Sequence, residues 1–356
     1  MRETHGGNIY DYNKIDFDFS ANVNPLGMPK AVVTAVKQQV EYASGYPDIR
    51  GRELKEQIAV HDGVAFPHIV LGNGAVELIY GICNALRPER CLVLAPTFSE
   101  YEAAMQVFGC KLSRMNLKEE EDFRMTRNEM SDLFSWIRKP SGKRILFFCN
   151  PNNPTGVLMD KQHLLRIADV CEQEGVYLCV DECFLPFIEE EDAYSLRTEV
   201  QAYSHLIVLR AFTKFYGMAG FRLGYVLTSN EELLAGYRNV LPPWNTSYLA
   251  QVAGIHALQD QDYENRTRKL IQEERDYLYS ELKKGLVKKV YPSATNFIFF
   301  QAEEDLFLTL LKSGILIRDC SDFANVGKGF YRIAVKTHSA NMVLVAALKE
   351  RLQERK

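Results

Sequence analysis

Short apolar segments alternate with amphipathic segments between about residues 65 and 230, and this alternation restricts the fold more than any other feature of the sequence. Uninterrupted apolar runs are typical of strands that are buried on both faces of a sheet. Four such runs occur: CLVLA (91–95), ILFFC (145–149), VYLCV (176–180) and LIVL (206–209). Apolar residues three and four apart predict helices over 75–86 and 160–175. Strands that alternate with helices predict an α/β fold with a mostly parallel sheet covered on both faces.

The C-terminal third of the chain has fewer strand-like runs and predicts a second, smaller domain. A chain of 356 residues is long enough for about two domains. We expect a long helix around 263–285 and a closing helix near 340–354. Three strand-like runs lie between them: NFIFF (296–300), ILIR (315–318) and YRIAV (331–335).

The charge of the chain argues against nucleic-acid and membrane partners. The chain has 42 Lys and Arg residues and 46 Asp and Glu residues, which gives a formal net charge of −4. No general attraction to nucleic acid or anionic lipid is therefore expected. No apolar run approaches the ~18 residues of a membrane span, and the polar N-terminal region lacks the apolar core of a signal peptide. We therefore expect a cytoplasmic protein, and we interpret the acidic run Glu189–Asp192 as a solvated loop.

The eight cysteines predict neither disulfides nor a metal site. Cys91, Cys149 and Cys179 lie within apolar runs, and the sequence has no CxxC pair or Cys/His cluster with the spacing of metal ligands. Buried, reduced thiols are the interpretation that fits these positions.

Four polar or glycine-containing segments lie beside the predicted strands, where open parallel sheets place their ligand crevice. The first, Gly72–Ala75, precedes the 75–86 helix. Its backbone N–H groups can hold a phosphate, although the segment is equally suited to a tight turn. The second, Asn150–Gly156, follows ILFFC. It is either a rigid Pro/Asn/Gly turn or an amide-rich loop that binds a polar ring substituent.

The other two segments carry a carboxylate and a lysine. Asp181 ends the strand VYLCV, where it is either a helix N-cap or a buried carboxylate that needs a cationic or hydrogen-bonding partner. Lys214 is flanked by Phe212, Phe215 and Tyr216. Apolar surroundings favour the neutral amine that reacts with a carbonyl, although a lysine of this kind can also extend to the surface. Together the four segments supply what a protein contributes to pyridoxal 5′-phosphate (PLP) chemistry.

Four motifs resemble the fold-type I PLP-dependent enzymes of the class I/II aminotransferase group. They are NPNNPTG (150–156), DEC (181–183), TKFYGMAGFRLGY (213–225) and YRIAV (331–335), and their order and spacing match over essentially the whole chain. The resemblance implies a large PLP-binding α/β domain over 45–240 with a mostly parallel central sheet. It also implies a smaller α+β domain formed by 1–44 and 241–356, with PLP in the cleft between the two.

The resemblance also assigns roles to individual residues. Lys214 would bind PLP covalently, Asp181 would face the ring nitrogen, Asn153 would donate to the ring's 3-oxygen, and Phe98 would stack on the ring. Four residues would hold the cofactor phosphate: Gly74, Ala75, Thr213 and Arg222.

Two further roles implied by the resemblance involve the neighbouring subunit and the substrate. Tyr46 would reach the PLP phosphate of a second subunit, which implies a homodimer with shared active sites. Arg332 would bind the substrate's α-carboxylate in a two-pronged pair. No residue is assigned to a metal.

Within the group, three segments resemble the L-threonine-O-3-phosphate decarboxylases of cobalamin biosynthesis: HGGN (5–8), FSANVNPLG (19–27) and GILIRDC (314–320). This resemblance implies decarboxylation of a phosphorylated amino acid, L-threonine O-3-phosphate, to (R)-1-aminopropan-2-yl phosphate and CO2. We expect Arg318 to hold the substrate phosphate, with His5 and Asn22 assisting. The alternatives are that Arg318 is an exposed charge at a strand end and that His5 lies in a frayed terminus.

Histidinol-phosphate aminotransferases are the next relatives, and three departures from the family patterns bear on the choice. Ala211 replaces a hydroxyl residue that many relatives carry. Phe184 replaces the tyrosine that is common in transaminating relatives, and Asn22–Pro25 reads NVNP where histidinol-phosphate enzymes usually have NENP. The last two favour the decarboxylase. A non-catalytic PLP-fold binding protein is a third interpretation, and a nicotinamide dehydrogenase is disfavoured because the glycine fingerprint is incomplete.

Overall fold

The computed structural model describes residues 5–354 of the chain. Its strands are β1 (Phe17–Asp18), β2 (Ile69–Gly72), β3 (Arg90–Ala95), β4 (Lys111–Asn116), β5 (Arg144–Cys149), β6 (Val176–Asp181), β7 (Leu206–Ala211), β8 (Gly224–Leu227), β9 (Lys289–Val290), β10 (Phe297–Gln301), β11 (Ile315–Leu316), β12 (Arg318–Asp319) and β13 (Phe330–Ala334). Its α-helices are α1 (Lys30–Gln39), α2 (Arg52–Asp62), α3 (Gly74–Leu86), α4 (Glu100–Val107), α5 (Arg127–Arg138), α6 (Lys161–Gln173), α7 (Phe212–Phe215), α8 (Glu231–Val240), α9 (Tyr248–Leu258), α10 (Gln261–Glu281), α11 (Leu306–Lys312) and α12 (His338–Glu354).

Seven strands form the main sheet in the order β2-β8-β7-β6-β5-β3-β4. β8 runs antiparallel to both of its neighbours, and the other pairs are parallel. The predicted mostly parallel α/β sheet is therefore confirmed. All seven strands lie within 45–240, but those bounds of a large domain remain a prediction.

The central strands contribute alternate side chains to two hydrophobic clusters. On β5, Ile145 and Phe147 belong to one cluster, whereas Leu146 and Phe148 belong to the other. Because successive side chains of a strand point to opposite faces, the sheet separates the two clusters. Helices α3, α4 and α8 contribute to the first cluster, and α2, α5, α6 and α10 contribute to the second. Burial of each large apolar side chain stabilises the folded state by ~1.5–3 kcal/mol. This packing keeps the carboxyl ends of the central strands in fixed positions.

The C-terminal region forms a second sheet in the order β12-β13-β10-β9, and its pairs are antiparallel. The N-terminal region contacts this C-terminal region in two places. β1 and β11 form a separate two-stranded parallel sheet, and the Phe19 carbonyl accepts from the Ala334 amide at 2.8 Å. The prediction of a single strand over 315–318 is wrong. Its residues divide between β11 and β12, which belong to different sheets.

Two predictions about individual side chains have different outcomes. All eight cysteines are buried and unpaired, as predicted. The interpretation of Glu189–Asp192 as a solvated loop is wrong for Glu191, which is buried and ion-paired with Arg210 and Arg268. These arginines come from distant segments, so the local run of acidic residues did not reveal them.

The described part of the chain offers neither a membrane-spanning helix nor a cluster of metal ligands. Between residues 5 and 354, no helix combines the length and the apolar character needed to cross a bilayer. The same residues contain no group of three or more His, Cys, Asp or Glu side chains placed to hold a metal ion.

Candidate active site

A cavity of about 310 Å³ lies at the carboxyl ends of β5, β6 and β7. Cys149 of β5 pairs with Asp181 of β6, and Asp181 pairs with Leu209 of β7, so these strands end side by side. The structure brings eleven of the predicted site residues together as lining of this cavity: His5, Asn22, Ala75, Phe98, Asn153, Asp181, Thr213, Lys214, Arg222, Arg318 and Arg332. Gly74 lies directly before Ala75, and Tyr46 does not line the cavity of its own chain.

Asp181 is a buried carboxylate at the end of β6. Its Oδ1 accepts from the Cys183 amide at 2.9 Å, and its Oδ2 accepts from the Tyr101 hydroxyl at 2.5 Å. Burial raises the pKa of Asp181, and these hydrogen bonds oppose the rise. Among residues 5–354, no lysine, arginine or histidine nitrogen lies within 4 Å of this carboxylate. A buried carboxylate without a cation is suited to a protonated ring nitrogen on a ligand.

Lys214 lies in the short helix α7 and is partly buried in the cavity wall. Burial is the main cause that lowers its pKa, and the positive charge of Arg332 adds to the effect, which brings the pKa to about 8. The Lys214 carbonyl accepts from the Asn24 amide at 3.0 Å, which ties α7 to the N-terminal region. At pH 7 a pKa of about 8 leaves roughly a tenth of this amine uncharged and able to react with an aldehyde, far more than for an ordinary lysine.

Arg332 is a buried cation on β13. Its Nη2 donates to the Ser20 carbonyl at 2.9 Å, and its Nη1 donates to Asn153 Oδ1. With the Asn22 amide oxygen turned toward Arg332, that oxygen accepts from Nε at 3.2 Å. Burial lowers the pKa of Arg332 to about 10, so it stays charged at neutral pH. No carboxylate of residues 5–354 lies within 4 Å of its guanidinium, which leaves it suited to an anionic ligand.

Gly74 and Arg222 meet at the start of α3. Gly74 has a φ of +77°, and a Cβ atom there would lie 2.5 Å from Arg222 Nη2. Glycine therefore permits both the backbone conformation and the close approach of the guanidinium. The first N–H groups of a helix have no partner within the helix and carry a partial positive charge. This helix start and Arg222 together suit a phosphate group.

Arg318 and His5 line the cavity but are already paired with carboxylates. Arg318 Nη2 lies 2.7 Å from both carboxylate oxygens of Asp322, and its guanidinium lies over the ring of Phe323. His5 Nε2 lies 3.0 Å from Glu100 Oε1. A substrate phosphate at Arg318 would therefore share the arginine with Asp322 or displace that carboxylate.

The two predicted aromatic residues have different surroundings. Phe98 lines the cavity and packs edge-to-face on Tyr101, with ring centroids 5.6 Å apart. Tyr46 is 82% exposed and stacks on Trp244, with centroids 4.6 Å apart. Its role at a neighbouring subunit's phosphate remains a prediction.

Sequence reasoning missed Tyr101, which lines the cavity and bonds to Asp181. It lies only three residues after Phe98 in the segment PTFSEY (96–101), and this short separation could have suggested that it lies near Phe98. Other residues of the lining also escaped notice, among them Cys149, Cys183 and Phe323. Short sequence motifs do not single out such apolar side chains and thiols.

The side chains of the cavity fit PLP. Asp181 is a buried carboxylate with no cationic side chain of residues 5–354 paired to it, Lys214 has a lowered pKa, and Arg222 lies at a helix start that can bind phosphate. These groups are the ones that PLP requires for its ring nitrogen, its aldehyde and its phosphate.

Comparison with known proteins also indicates a PLP-dependent enzyme. The family described as "Aminotransferase class I and II" matches residues 14–348. The threonine-phosphate decarboxylase of Salmonella typhimurium is 34% identical over 98% of this chain and 96% of that protein. The histidinol-phosphate aminotransferase of Moorella thermoacetica is 32% identical over 93% of this chain and 84% of that protein.

A solved structure gives the same result for the fold. The histidinol-phosphate aminotransferase of Clostridium acetobutylicum has a TM-score of 0.88 and 31% identity, and the match covers 95% of this chain and 99% of that chain. The chain therefore belongs to the class I and II aminotransferase family, a PLP-dependent family with the fold-type I architecture that its motifs predict.

Proposed function

We propose that this protein is a PLP-dependent decarboxylase that converts L-threonine O-3-phosphate to (R)-1-aminopropan-2-yl phosphate and CO2 for cobalamin biosynthesis. Similarity to the Salmonella enzyme over nearly the full length of both chains supports the proposal. Phe184 supports it as well, because it lines the cavity where transaminating relatives commonly have a tyrosine hydroxyl.

The observation that carries the proposal is a pair of arginines on neighbouring strands. Arg318 of β12 and Arg332 of β13 are cross-strand partners, and both line the cavity that contains Lys214. Together they can bind two anionic groups on one small molecule. L-threonine O-3-phosphate has a carboxylate and a phosphate, whereas histidinol phosphate has only the phosphate.

In the proposed site, Lys214 would carry PLP, Asp181 would pair with its ring nitrogen, and Phe98 would pack on its ring. Asn153 Oδ1 accepts from Arg332, which leaves its Nδ2 to donate to the ring oxygen. Thr213, Arg222 and the start of α3 would hold the phosphate. When bound, PLP accepts the electrons released from the bond that breaks at the substrate Cα.

The chain's own residues would select the bond that breaks and supply the proton that the product needs. Arg332 and Arg318 would fix the substrate at two points and thereby orient its carboxylate, which is a positioning effect. Loss of CO2 leaves Cα one proton short. Once the substrate's amine has taken the place of Lys214 on the cofactor, the freed Lys214 Nζ, with a pKa of about 8, can hold a proton at neutral pH and release it to Cα. Phe184 and Phe323 add apolar surface that limits water in the cavity.

An assay that measures both CO2 and 2-oxo acid tests the proposal. Purified protein with PLP and L-threonine O-3-phosphate is expected to release CO2 without any 2-oxo acid. Absence of CO2, with transfer of an amino group from histidinol phosphate to 2-oxoglutarate, would overturn the proposal in favour of an aminotransferase.

The aminotransferase is the second candidate because of one observation in the cavity. Arg318 and Arg332 also suit a dicarboxylate such as glutamate, which would serve as the amino donor. Similarity to the histidinol-phosphate aminotransferase of Clostridium acetobutylicum supports this candidate. The CO2 assay separates the two activities directly.

Three further expectations belong to the same proposal. The substrate is a phosphorylated amino acid, and the protein acts in the cytoplasm. It forms a homodimer in which Tyr46 reaches the PLP phosphate of the neighbouring subunit. Exposure of Tyr46 and its absence from its own chain's cavity support this last expectation.

A further inference from the structure

Tyr101 is held beside Asp181 by contacts on several sides. It lies in α4, is fully buried, and donates its hydroxyl to Asp181 Oδ2 at 2.5 Å. Its ring stacks on Phe147, with centroids 4.9 Å apart and planes 10° apart. Phe98 packs edge-to-face on the same ring at 5.6 Å. These contacts leave the hydroxyl little freedom to turn away from the carboxylate.

Within the described part of the chain, the other groups around Asp181 provide no cationic partner. Its nearest side chains besides Tyr101 include the thiols of Cys149 and Cys183. Burial raises the pKa of both thiols, so both stay neutral at physiological pH. Burial also raises the pKa of Tyr101, and its hydroxyl therefore remains a donor over the whole working range.

We propose that Tyr101 is a positioning residue that acts on the chemistry through Asp181. Its hydroxyl fixes the orientation of the carboxylate and stabilises its negative charge, so that Asp181 can keep the ring nitrogen of PLP protonated. This inference rests on the proposed role of Asp181.

The geometry explains why one hydroxyl matters at this position. Asp181 Oδ1 is fixed by the Cys183 amide and Oδ2 by Tyr101, so the two bonds define the plane of the carboxylate. Hydrogen bonds to a charged acceptor are stronger than those between neutral groups. Without the Tyr101 bond, burial favours the protonated carboxyl group, which no longer attracts a proton to the ring nitrogen.

The test replaces Tyr101 by phenylalanine and observes the ring nitrogen directly. Holoenzyme prepared with PLP labelled with ¹⁵N at the ring is titrated by NMR between pH 6 and 9. Wild-type protein is expected to keep the nitrogen protonated throughout this range. In Tyr101→Phe the protonated fraction is expected to fall as the pH rises, and the dissociation constant for PLP to increase by ~10-fold, since one charged hydrogen bond is lost.

Tyr177→Phe is the matched control, because Tyr177 lies on the same strand as Asp181 and donates to Glu232 at 2.8 Å outside the cavity. It removes an equivalent hydroxyl and is expected to leave the ¹⁵N signal and the PLP affinity unchanged. The inference is overturned if Tyr101→Phe gives the same ¹⁵N titration and PLP affinity as Tyr177→Phe, even if both lower the melting temperature.

Asp181→Asn distinguishes this failure from a failure of the proposed site. It is expected to lose the protonated nitrogen entirely. If Asp181→Asn binds PLP with an unchanged ¹⁵N signal, the proposed role of Asp181 and the inference about Tyr101 both fail. If Asp181→Asn loses the signal and Tyr101→Phe does not, only the inference about Tyr101 fails.

Discussion

Replacement of Arg332 by lysine separates the charge of this residue from its two-pronged geometry. Arg332 donates to the Ser20 carbonyl at 2.9 Å and to Asn153, and the remaining face of its guanidinium would bind the substrate carboxylate. Lysine keeps the positive charge but loses the planar fork. We expect the loss of one charge-assisted hydrogen bond, worth roughly 1.5–3 kcal/mol, in the bound substrate. This corresponds to a fall in kcat/KM of roughly 10- to 150-fold.

The assay measures CO2 release from L-threonine O-3-phosphate, together with inhibition by the product. The product has no carboxylate, so its inhibition constant is expected to change by less than about threefold in Arg332→Lys. Arg144→Lys is the control, because Arg144 is also buried and bonded to carbonyls but lies outside the cavity. It is expected to lower stability without changing kcat/KM. Equal losses for substrate and product in Arg332→Lys would refute the assignment of Arg332 to the carboxylate.

Three further predictions follow from ionisable groups. Asp322→Asn removes the carboxylate that Arg318 Nη2 contacts and is expected to lower KM for the phosphorylated substrate by ~3-fold; an increase in KM would contradict a phosphate at Arg318. The rate at which apoprotein binds PLP covalently is expected to rise with pH and level off above about 8, the pKa of Lys214, in a stopped-flow absorbance titration. A midpoint near 10 would contradict the lowered pKa. Burial by itself lowers the pKa of His61, but hydrogen bonds and charge interactions with Asp62 and Glu264 together outweigh burial and raise the pKa to about 9. His61 is therefore expected to contribute on the order of 3 kcal/mol of stability below pH 6.5, which is lost as the pH rises through 9. Urea unfolding of the wild type and of His61→Gln as a function of pH measures this contribution to the free energy of unfolding. The same pH dependence in both proteins would contradict the prediction.

The buried strands of the main sheet are the part of the fold that sequence predicts best. The run ILFFC predicts 145–149, and β5 spans Arg144–Cys149. Such strands are recognisable because both faces are apolar. β4 (Lys111–Asn116) lies at the sheet edge, where its mixed and partly exposed side chains give no such signal. β2 and β8 were also missed, since each contains a glycine and only three consecutive apolar residues.

Contacts between distant segments are the part of the site that sequence does not predict. Tyr101 and Asp181 are 80 positions apart, and their hydrogen bond depends on how α4 packs against β6. Glu191 was taken for a solvated residue because two of its three arginine partners, Arg210 and Arg268, come from distant segments, although Arg197 lies only six positions away. The pairing of Arg318 with Asp322 is different, because the two residues are only four positions apart and a local reading could have found it.

The central claim is that Lys214 carries the cofactor, and one measurement tests it most directly. Holoenzyme is reduced with borohydride, which fixes a pyridoxyl group on the amine that binds PLP, and the digested peptides are analysed by mass spectrometry. We predict the pyridoxyl mass on the peptide that contains Lys214. The same mass on another lysine, or on no peptide, would contradict the proposed site.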